Sequence, residues 1–349
     1  MCPCANPRRL AGFALSAWLA VGWEARAGGP KYVAGASYFQ AKVLGQPVHW
    51  NGGQLRYFVD QGPLNGSISN VQATAMVDAA AGVWSAVATA AVTLTDAGML
   101  KEDVRGANVE VVQGALTAPA DVTAQATSFP LGVIFDADGS VIDALLGVGA
   151  SEPTDCENNG VWTWLDSVNP DATAGHGIIV LNGRCATSPD LLEMMSYELE
   201  RAFGRVLGLD YAQVNPTALT DPVPGGTDGW PVMEPLSGVC SAAGGACIPN
   251  PGLLRWDDIA ALSRMYPVTA ENIGSFSGKQ ITAANTVSIQ GTIRFRSGEG
   301  MQGVNVVARP LDGSGNPLYQ YAVSFVSGGY FSGKHGNPMT GFTDAQGNP

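Results

Sequence analysis

The sequence predicts an α+β fold followed by a smaller unit of β-strands, and three observations support this prediction. Residues Gly53–Asp60 alternate apolar and polar side chains as a half-buried strand does, and long helical patterns follow. The helical patterns end at Pro267, after which the composition changes to Ser, Thr, Ala and Gly. From Thr286 onward the alternation of a strand returns. A mixed domain and a separate all-strand domain are therefore expected.

The first domain begins with this strand and a long helix. Ser69 can cap the helix, because its hydroxyl group accepts a hydrogen bond from a free N–H group of the first turn. Shorter strands are then predicted at Asn108–Gln113, Leu131–Gly139 and His176–Gly183.

A second long helix is predicted to begin at Ser188 and to end at Gly208. Ser188 can cap it, Pro189 suits the first turn, and Asp190 lies at the positive end of the helix dipole. Gly208 stands where a left-handed residue ends a helix. A third helix is predicted at Trp256–Tyr266 and stops before a proline.

The rest of the chain divides into a linker and a β-sandwich. Residues 268–285 have the composition of a linker, and residues 286–349 show strands separated by Gly-rich turns. The apolar side chains that alternate in the first of these strands are Val287, Ile289, Ile293 and Phe295. The last residues form a turn with no strand after it, so we expect this domain to be incomplete.

Size, composition and charge limit the possible functions. The chain has 349 residues, of which 46% are hydrophobic and 14% charged, as in a folded globular protein with room for two cores. Its formal net charge is −12. Because an acidic chain is repelled by phosphate groups, we expect neither a nucleic-acid partner nor binding to anionic membranes.

Residues 1–27 have the pattern of an export signal. Arg8 and Arg9 precede the apolar run Leu10–Trp23, and small residues follow around Ala27. A membrane anchor is the alternative, but the run is shorter than the ~20 residues that span a bilayer core. We therefore expect cleavage after Ala27, a secreted mature protein, and no membrane insertion after cleavage.

The cysteines that follow this segment are Cys156, Cys185, Cys240 and Cys247. In an oxidising exported compartment an even number favours disulfides. We expect Cys156–Cys185 and Cys240–Cys247, the second of which would close the short loop CSAAGGAC. Other connectivities and a free reactive thiol are the alternatives.

Three segments, in this order, resemble secreted matrixin-like proteases of the metzincin family. Arg201–Tyr211 is similar to the helix and turn that carry the family's zinc ligands, and Met233 lies where the family has its Met-turn. Arg255–Pro267 is similar to the helix that closes the catalytic domain. The resemblance implies a metzincin-like domain at residues 28–267, with a twisted mixed sheet, two long helices and a C-terminal helix.

A second resemblance concerns the C-terminal unit. Residues 287–315 resemble the carboxypeptidase regulatory-like, transthyretin-type β-sandwich that is often joined to secreted bacterial proteases. This resemblance implies an accessory domain at residues 286–349.

The family's zinc motif, H-E-x-x-H-x-x-G-x-x-H, is changed at every chemical position. The ligand and base positions carry Arg201, Ala202, Arg205 and Tyr211, while Met233 is kept. Arginine is permanently charged and has no lone pair for a metal, and alanine cannot act as a base. The residues therefore predict that zinc binding and catalysis are lost, although the family is one of zinc endopeptidases.

The sequence offers two weaker alternatives for a zinc site. A register that aligns Tyr197 and Glu198 with the first His-Glu pair recovers a glutamate but no histidine. The histidines of the chain are His49, His176 and His335, and they are dispersed, so a zinc site would need an accidental gathering of them.

The two arginines have two possible roles. Glu198 precedes Arg201 by three residues, so an ion pair along the helix is available. One hypothesis is that Arg201 or Arg205 takes the space and charge of the metal and pairs with a carboxylate. The alternative is that both arginines are exposed.

A calcium site is a further hypothesis. Asp136, Asp138 and Asp143 surround Gly139 and resemble part of a loop of oxygen ligands. An ordinary Asp-Gly turn explains these residues equally well.

The leading interpretation is a secreted, catalytically inactive metzincin homologue with a binding or structural role outside the cell. It would need no catalytic cofactor, and its partner would be a protein or peptide. One alternative is an active zinc-dependent endopeptidase with a nonstandard site. Another is an extracellular adhesion or assembly subunit.

Overall fold

A computed structural model describes most of the chain after the expected signal segment. The described residues are 29–35, 39–112, 115–214, 230–234, 252–301 and 303–327. The expected signal at residues 1–27 and the predicted Cys240–Cys247 disulfide lie outside them.

A five-stranded mixed sheet forms the centre of the fold. The strands of the chain are β1 Gln54–Val59, β2 Thr93–Met99, β3 Glu110–Val112, β4 Ala115–Thr117, β5 Leu131–Asp136, β6 Val161–Val168, β7 Ala174–Asn182, β8 Asn305–Ala308 and β9 Val323–Val326. The sheet has the order β2-β1-β5-β7-β6, and all its neighbours are parallel except β6, which runs antiparallel to β7 at one edge. The pairs β3–β4 and β8–β9 are separate antiparallel ribbons.

Helices cover both faces of this sheet. The helices of the described residues are α1 Asn70–Ser85, α2 Ser140–Leu146, α3 Cys156–Asn159, α4 Pro189–Val206, α5 Trp256–Met265 and α6 Thr282–Asn285. Trp84 of α1 and Phe203 of α4 share one apolar core with Val133 of β5. Ile142 of α2 packs with Ile178 in a second core, on the opposite face, because strand side chains alternate between faces. These elements confirm the predicted α+β class.

The predicted start of α1 and both predicted ends of α4 are confirmed at the residues that determine them. Ser69 and Gln72 form a reciprocal capping box at the start of α1. The Ser188 hydroxyl accepts a hydrogen bond from the Leu191 N–H at the start of α4. Gly208 follows α4 with a φ of +97°, and a Cβ there would lie 2.6 Å from the Val48 carbonyl oxygen. Glycine is therefore required both for its conformation and for the close approach of another backbone.

The disulfide predicted between Cys156 and Cys185 is present, with a Cα–Cα distance of 5.4 Å. It joins the start of α3 to the turn that follows β7 and precedes α4. The bond thereby holds the segment before the edge strand β6 against the N-terminal side of α4.

The strand predictions need correction. They omitted β2, β4 and β6, and the run from 286 to 296 forms no strand beyond a single bridge between Arg294 and Gly300. In that run Val287 is 89% exposed and Ile289 is 79% exposed. Its apolar side chains therefore face no core within the described part of the chain.

Residues 268–285, predicted to be a linker, pack against the first domain. Val268 and Phe276 form a small apolar cluster with Ala91. The Lys279 ammonium donates hydrogen bonds to the carbonyl oxygens of Ser85 and Val87, at 2.5 and 2.7 Å. A cation is favourable there because the last carbonyl groups of α1 lie at the negative end of the helix dipole.

Within the described ranges, no helix combines the length and the apolar composition that crossing a bilayer requires.

Candidate functional site

The helix α4 and the turn after it carry the four residues that the resemblance aligns with a zinc motif. Arg201 and Arg205 are one turn apart and lie on one face of α4. The Gly208 turn reverses the chain, so that the Arg205 guanidinium lies over the Tyr211 ring, 4.3 Å from the ring centroid. Ala202, which the resemblance aligns with a catalytic base, is buried in the main apolar core.

Arg201 is buried and ion-paired. It is only 8% exposed, and its Nη2 donates a hydrogen bond to Oε1 of Glu198 at 2.7 Å. Its guanidinium also lies 4.9 Å from the centroid of the Tyr197 ring. The predicted Glu198–Arg201 pair is thus present, and the alternative that both arginines are exposed is wrong for Arg201.

The electrostatics of this pair keep the arginine charged. Burial raises the pKa of Glu198, and the opposite charge of Arg201 partly offsets that effect. Burial alone would lower the pKa of Arg201, but Glu198 and the nearby tyrosines raise it overall. A permanently protonated guanidinium in this position repels a metal cation, so these residues do not fit zinc.

Arg205 differs from Arg201 in having no ion pair. It is half-buried, and no described carboxylate lies within ion-pair distance of it. Its Nη1 atom is buried without a hydrogen-bond partner, as is Nε of Arg201. The two guanidinium groups therefore hold donors that the described chain leaves unused.

A turn around Met233 forms the support beneath α4. Met233 is 2% exposed, and a Cβ added to Gly204 would lie 2.4 Å from its Sδ atom and 2.6 Å from a ring carbon of Trp84. The Tyr197 hydroxyl donates to the Val232 carbonyl oxygen at 3.1 Å. Met233 therefore lies directly against the helix that carries Arg201 and Arg205, and glycine at position 204 permits this contact.

Asp258 in the first turn of α5 holds the Met233 turn in place. Its carboxylate accepts hydrogen bonds from the backbone N–H groups of Val232 at 2.9 Å, Met233 at 3.0 Å and Arg255 at 2.9 Å. Burial raises the pKa of Asp258 to about 6, although the three N–H donors act in the opposite direction. The sequence reasoning missed this residue, whose only signal was an acidic first turn.

The neighbouring Asp257 holds the C-terminal segment. It accepts hydrogen bonds from the N–H group and from the hydroxyl group of Ser324 in β9. The Ser324 hydroxyl oxygen also accepts from the Gln213 N–H at 2.9 Å, and the Asn305 side chain donates to the Gln213 carbonyl oxygen at 2.7 Å. The ribbon β8–β9 therefore docks on the extended chain just after Tyr211.

Asp257 should make the stability of the protein depend on pH. Burial raises its pKa in the folded state to about 7, whereas the unfolded value is about 4. The folded state therefore binds this proton more tightly, and the contribution of Asp257 to stability falls as the pH rises from about 4 to about 7. We expect Asp257→Asn, which stays neutral, to show a flatter dependence of unfolding free energy between about pH 5 and pH 8 than the parent protein.

Urea unfolding at several pH values would measure this difference. Asp190→Asn is the control, because Asp190 is exposed and accepts no comparable buried hydrogen bonds among the described residues. Equal slopes for Asp257→Asn and the parent protein would contradict the expectation.

The described histidines do not converge on the altered motif. His176 is fully buried, and its Nδ1 atom lies 2.6 Å from Oδ1 of Asp166. His49 lies with Nδ1 2.9 Å from the Pro47 carbonyl oxygen, and His335 is outside the described residues. In the part of the chain that is described, no group of three His, Cys, Asp or Glu side chains is arranged to hold a metal ion.

The three aspartates of the calcium hypothesis bind backbone N–H groups around α2. Oδ2 of Asp136 accepts from Ile142 at 2.8 Å, Oδ1 of Asp138 from Ser140 at 3.0 Å, and Oδ1 of Asp143 from Ser151 at 2.9 Å. The Asp136 carboxylate is buried, and burial raises its pKa. These contacts are those of a capped turn, and the calcium site stays a prediction.

The edge strand β6 offers an open surface. No described strand pairs with its outer side, and Trp164 and Val168 are 41% and 39% exposed. Unpaired N–H and C=O groups on such an edge can add a strand from another chain.

No protein-family model and no curated protein matches this chain. What the chain does is therefore inferred from its own residues and their geometry.

Proposed function

We propose that this chain is an exported, matrixin-like metzincin homologue that has lost zinc chemistry and binds a protein or peptide outside the cell. The signal-like residues 1–27 and the Cys156–Cys185 disulfide support export, because disulfides persist in oxidising compartments. No catalytic step is assigned to it.

The fold supports the family part of the proposal. A mixed sheet, two long helices packed together, and a third helix before Pro267 are the arrangement that the resemblance implies. The turn at Met233 lies against Gly204, in the helix where the family carries its zinc ligands. The antiparallel ribbon β8–β9 supports a β-rich accessory domain of the carboxypeptidase regulatory-like kind.

The buried ion pair between Arg201 and Glu198 carries the functional part. It places a fixed positive charge at the first zinc-ligand position, where the family needs a lone pair. The base position next to it is Ala202, which faces the core. A fold that keeps the Met233 turn and Gly208 but has lost the zinc ligands and the base is suited to binding rather than to catalysis. The open edge of β6 supplies a surface for an extended peptide.

Elemental analysis of the mature protein, combined with a casein or gelatin cleavage assay, tests the proposal. We expect far less than one zinc ion per chain and no cleavage that a chelator abolishes. One tightly held zinc equivalent with chelator-sensitive cleavage would overturn it and favour the active endopeptidase.

A variant with the family motif restored is the matched control. It combines Arg201→His, Ala202→Glu, Arg205→His and Tyr211→His, while Gly208 is already present. If the scaffold is that of a metzincin, this variant is expected to bind about one zinc ion, because three histidines would then have the family's spacing. A restored variant that folds without binding zinc would contradict the family part of the proposal.

A further inference from the structure

Two guanidinium groups lie side by side on α4, and each is stacked on a tyrosine ring. The Arg201 guanidinium lies over Tyr197 and that of Arg205 over Tyr211, at 4.9 and 4.3 Å from the ring centroids. Stacking occupies the flat faces of a guanidinium and leaves its N–H groups, which point outward in the plane, for hydrogen bonds.

Some of those N–H groups have no acceptor. Nε of Arg201 and Nη1 of Arg205 are buried and make no hydrogen bond, whereas Nη2 of Arg201 is used by Glu198. Leaving a buried donor of a charged group without a hydrogen bond is costly, so such atoms indicate an acceptor that the described residues do not supply. Arg205 as a whole is only half-buried, so it is the member of the two arginines that solvent reaches.

We propose that Arg201 and Arg205 form a binding site for a carboxylate group, supplied by the C-terminus of a peptide or by a small free acid. This inference deepens the proposed binding function and rests on the absence of zinc from the altered motif. A carboxylate oxygen pair matches the fork of a guanidinium and can accept from both arginines.

The surrounding charges favour a monoanion with carboxylate geometry. Glu198 is adjacent, and Glu157 lies near enough to raise the pKa of Glu198. These two carboxylates disfavour a doubly charged phosphate, because like charges in a partly buried site repel. A metal cation is disfavoured by the two fixed positive charges.

Glu157 is a second negative charge close to Glu198, whose pKa it raises. Its Oε1 atom is also buried without a hydrogen-bond partner among the described residues. Glu157→Gln therefore removes a charge that repels an external carboxylate.

Calorimetric titration of the zinc-free, full chain tests the site with three probes. They are acetate, an acetylated pentaglycine peptide with a free C-terminal carboxylate, and the same peptide with a C-terminal amide. We expect the free-acid peptide to bind at least about tenfold more tightly than the amide. If acetate binds as tightly as the peptide, the ligand is a small free acid; if the peptide is tighter, it is a peptide terminus.

Variants assign the binding to the arginines. Arg205→Gln and Arg205→Lys are each expected to weaken binding by about tenfold or more, since neither keeps the guanidinium fork. Having both variants guards against one that fails to fold. Arg264→Gln is the matched control. Arg264 also lies over an aromatic ring, 4.5 Å from the centroid of Phe325, but it belongs to α5. This variant should leave binding unchanged. Glu157→Gln should tighten binding.

Four results would overturn the proposal. They are no binding by either carboxylate probe, equal binding of the free acid and the amide, no effect of the Arg205 variants, and weaker binding in Glu157→Gln. Because the titration uses protein already shown to lack zinc, these results leave the loss of zinc chemistry intact. Bound zinc, by contrast, would overturn the proposed function before the titration begins.

Discussion

Replacing Glu198 with alanine is expected to lower the free energy of unfolding by about 3–5 kcal/mol, because it leaves the buried Arg201 guanidinium without its anion. The side chains of Glu198 and Arg201 are only 14% and 10% exposed, so solvent cannot take the place of the missing partner. Urea unfolding monitored by circular dichroism would measure the loss.

Two controls separate the buried pair from a general effect of losing a charge. In Glu152→Ala, the residue removed pairs with Arg184 but is 54% exposed, so a change within about 0.5 kcal/mol is expected. The double variant Glu198→Leu with Arg201→Leu removes both charges and should recover much of the loss, as apolar replacements of buried pairs do. A loss in Glu198→Ala no larger than that in Glu152→Ala would show that Arg201 is not held in this pair.

Gly204→Ala is the second change with a large expected effect. The added Cβ would lie within 2.4 Å of the Met233 sulfur and 2.6 Å of the Trp84 ring. Overpacking of this kind costs about 1–3 kcal/mol, and the gain in helix propensity of about 1 kcal/mol offsets only part of it. We expect a net loss of stability together with a shifted Met233 turn, measured by urea unfolding and by tryptophan fluorescence.

Gly82→Ala is the matched control for this substitution. Gly82 also lies inside a helix, α1, but a Cβ there meets no atom within 4 Å. That change should raise stability by about 0.5–1 kcal/mol through helix propensity alone. If both substitutions stabilise the protein, Met233 does not pack against Gly204 as described.

Features that depend on near neighbours in the chain were predictable. The start of α4 at Ser188 and its end at Gly208 follow from local hydrogen bonding and backbone conformation. The Arg201–Glu198 pair follows from helical spacing. The Cys156–Cys185 disulfide was one of several connectivities, and only the fold selects it.

Features that depend on distant partners were not predictable. Asp258 binds the N–H groups of a turn 25 and 26 residues earlier, and Asp257 binds Ser324, 67 residues later. In the sequence both residues show only the acidic first turn of an ordinary helix. Their roles depend on burial and on packing against an element that is distant in the sequence. No local sequence pattern encodes either of these.

The strand predictions failed for a related reason. An alternation of apolar and polar residues predicts which side chains share a face of a strand. It does not predict whether a partner strand is present. In β2 the exposed and buried residues do not alternate, so the edge strand was missed. In the run that contains Val287 and Ile289 the alternation is clear, yet the side chains remain exposed.

The contact between Asp257 and Ser324 has a consequence for the order in which the chain folds. A chain leaves the ribosome with its N-terminal end first, so α5 is complete before β9 is available to cover it. Until then Asp257 stays hydrated, and the apolar surface that Val214 shares with Ala322 remains open. The docking of a sequence-distant ribbon is therefore a late event, and the newly synthesised chain passes through a state in which the surface next to Tyr211 is accessible.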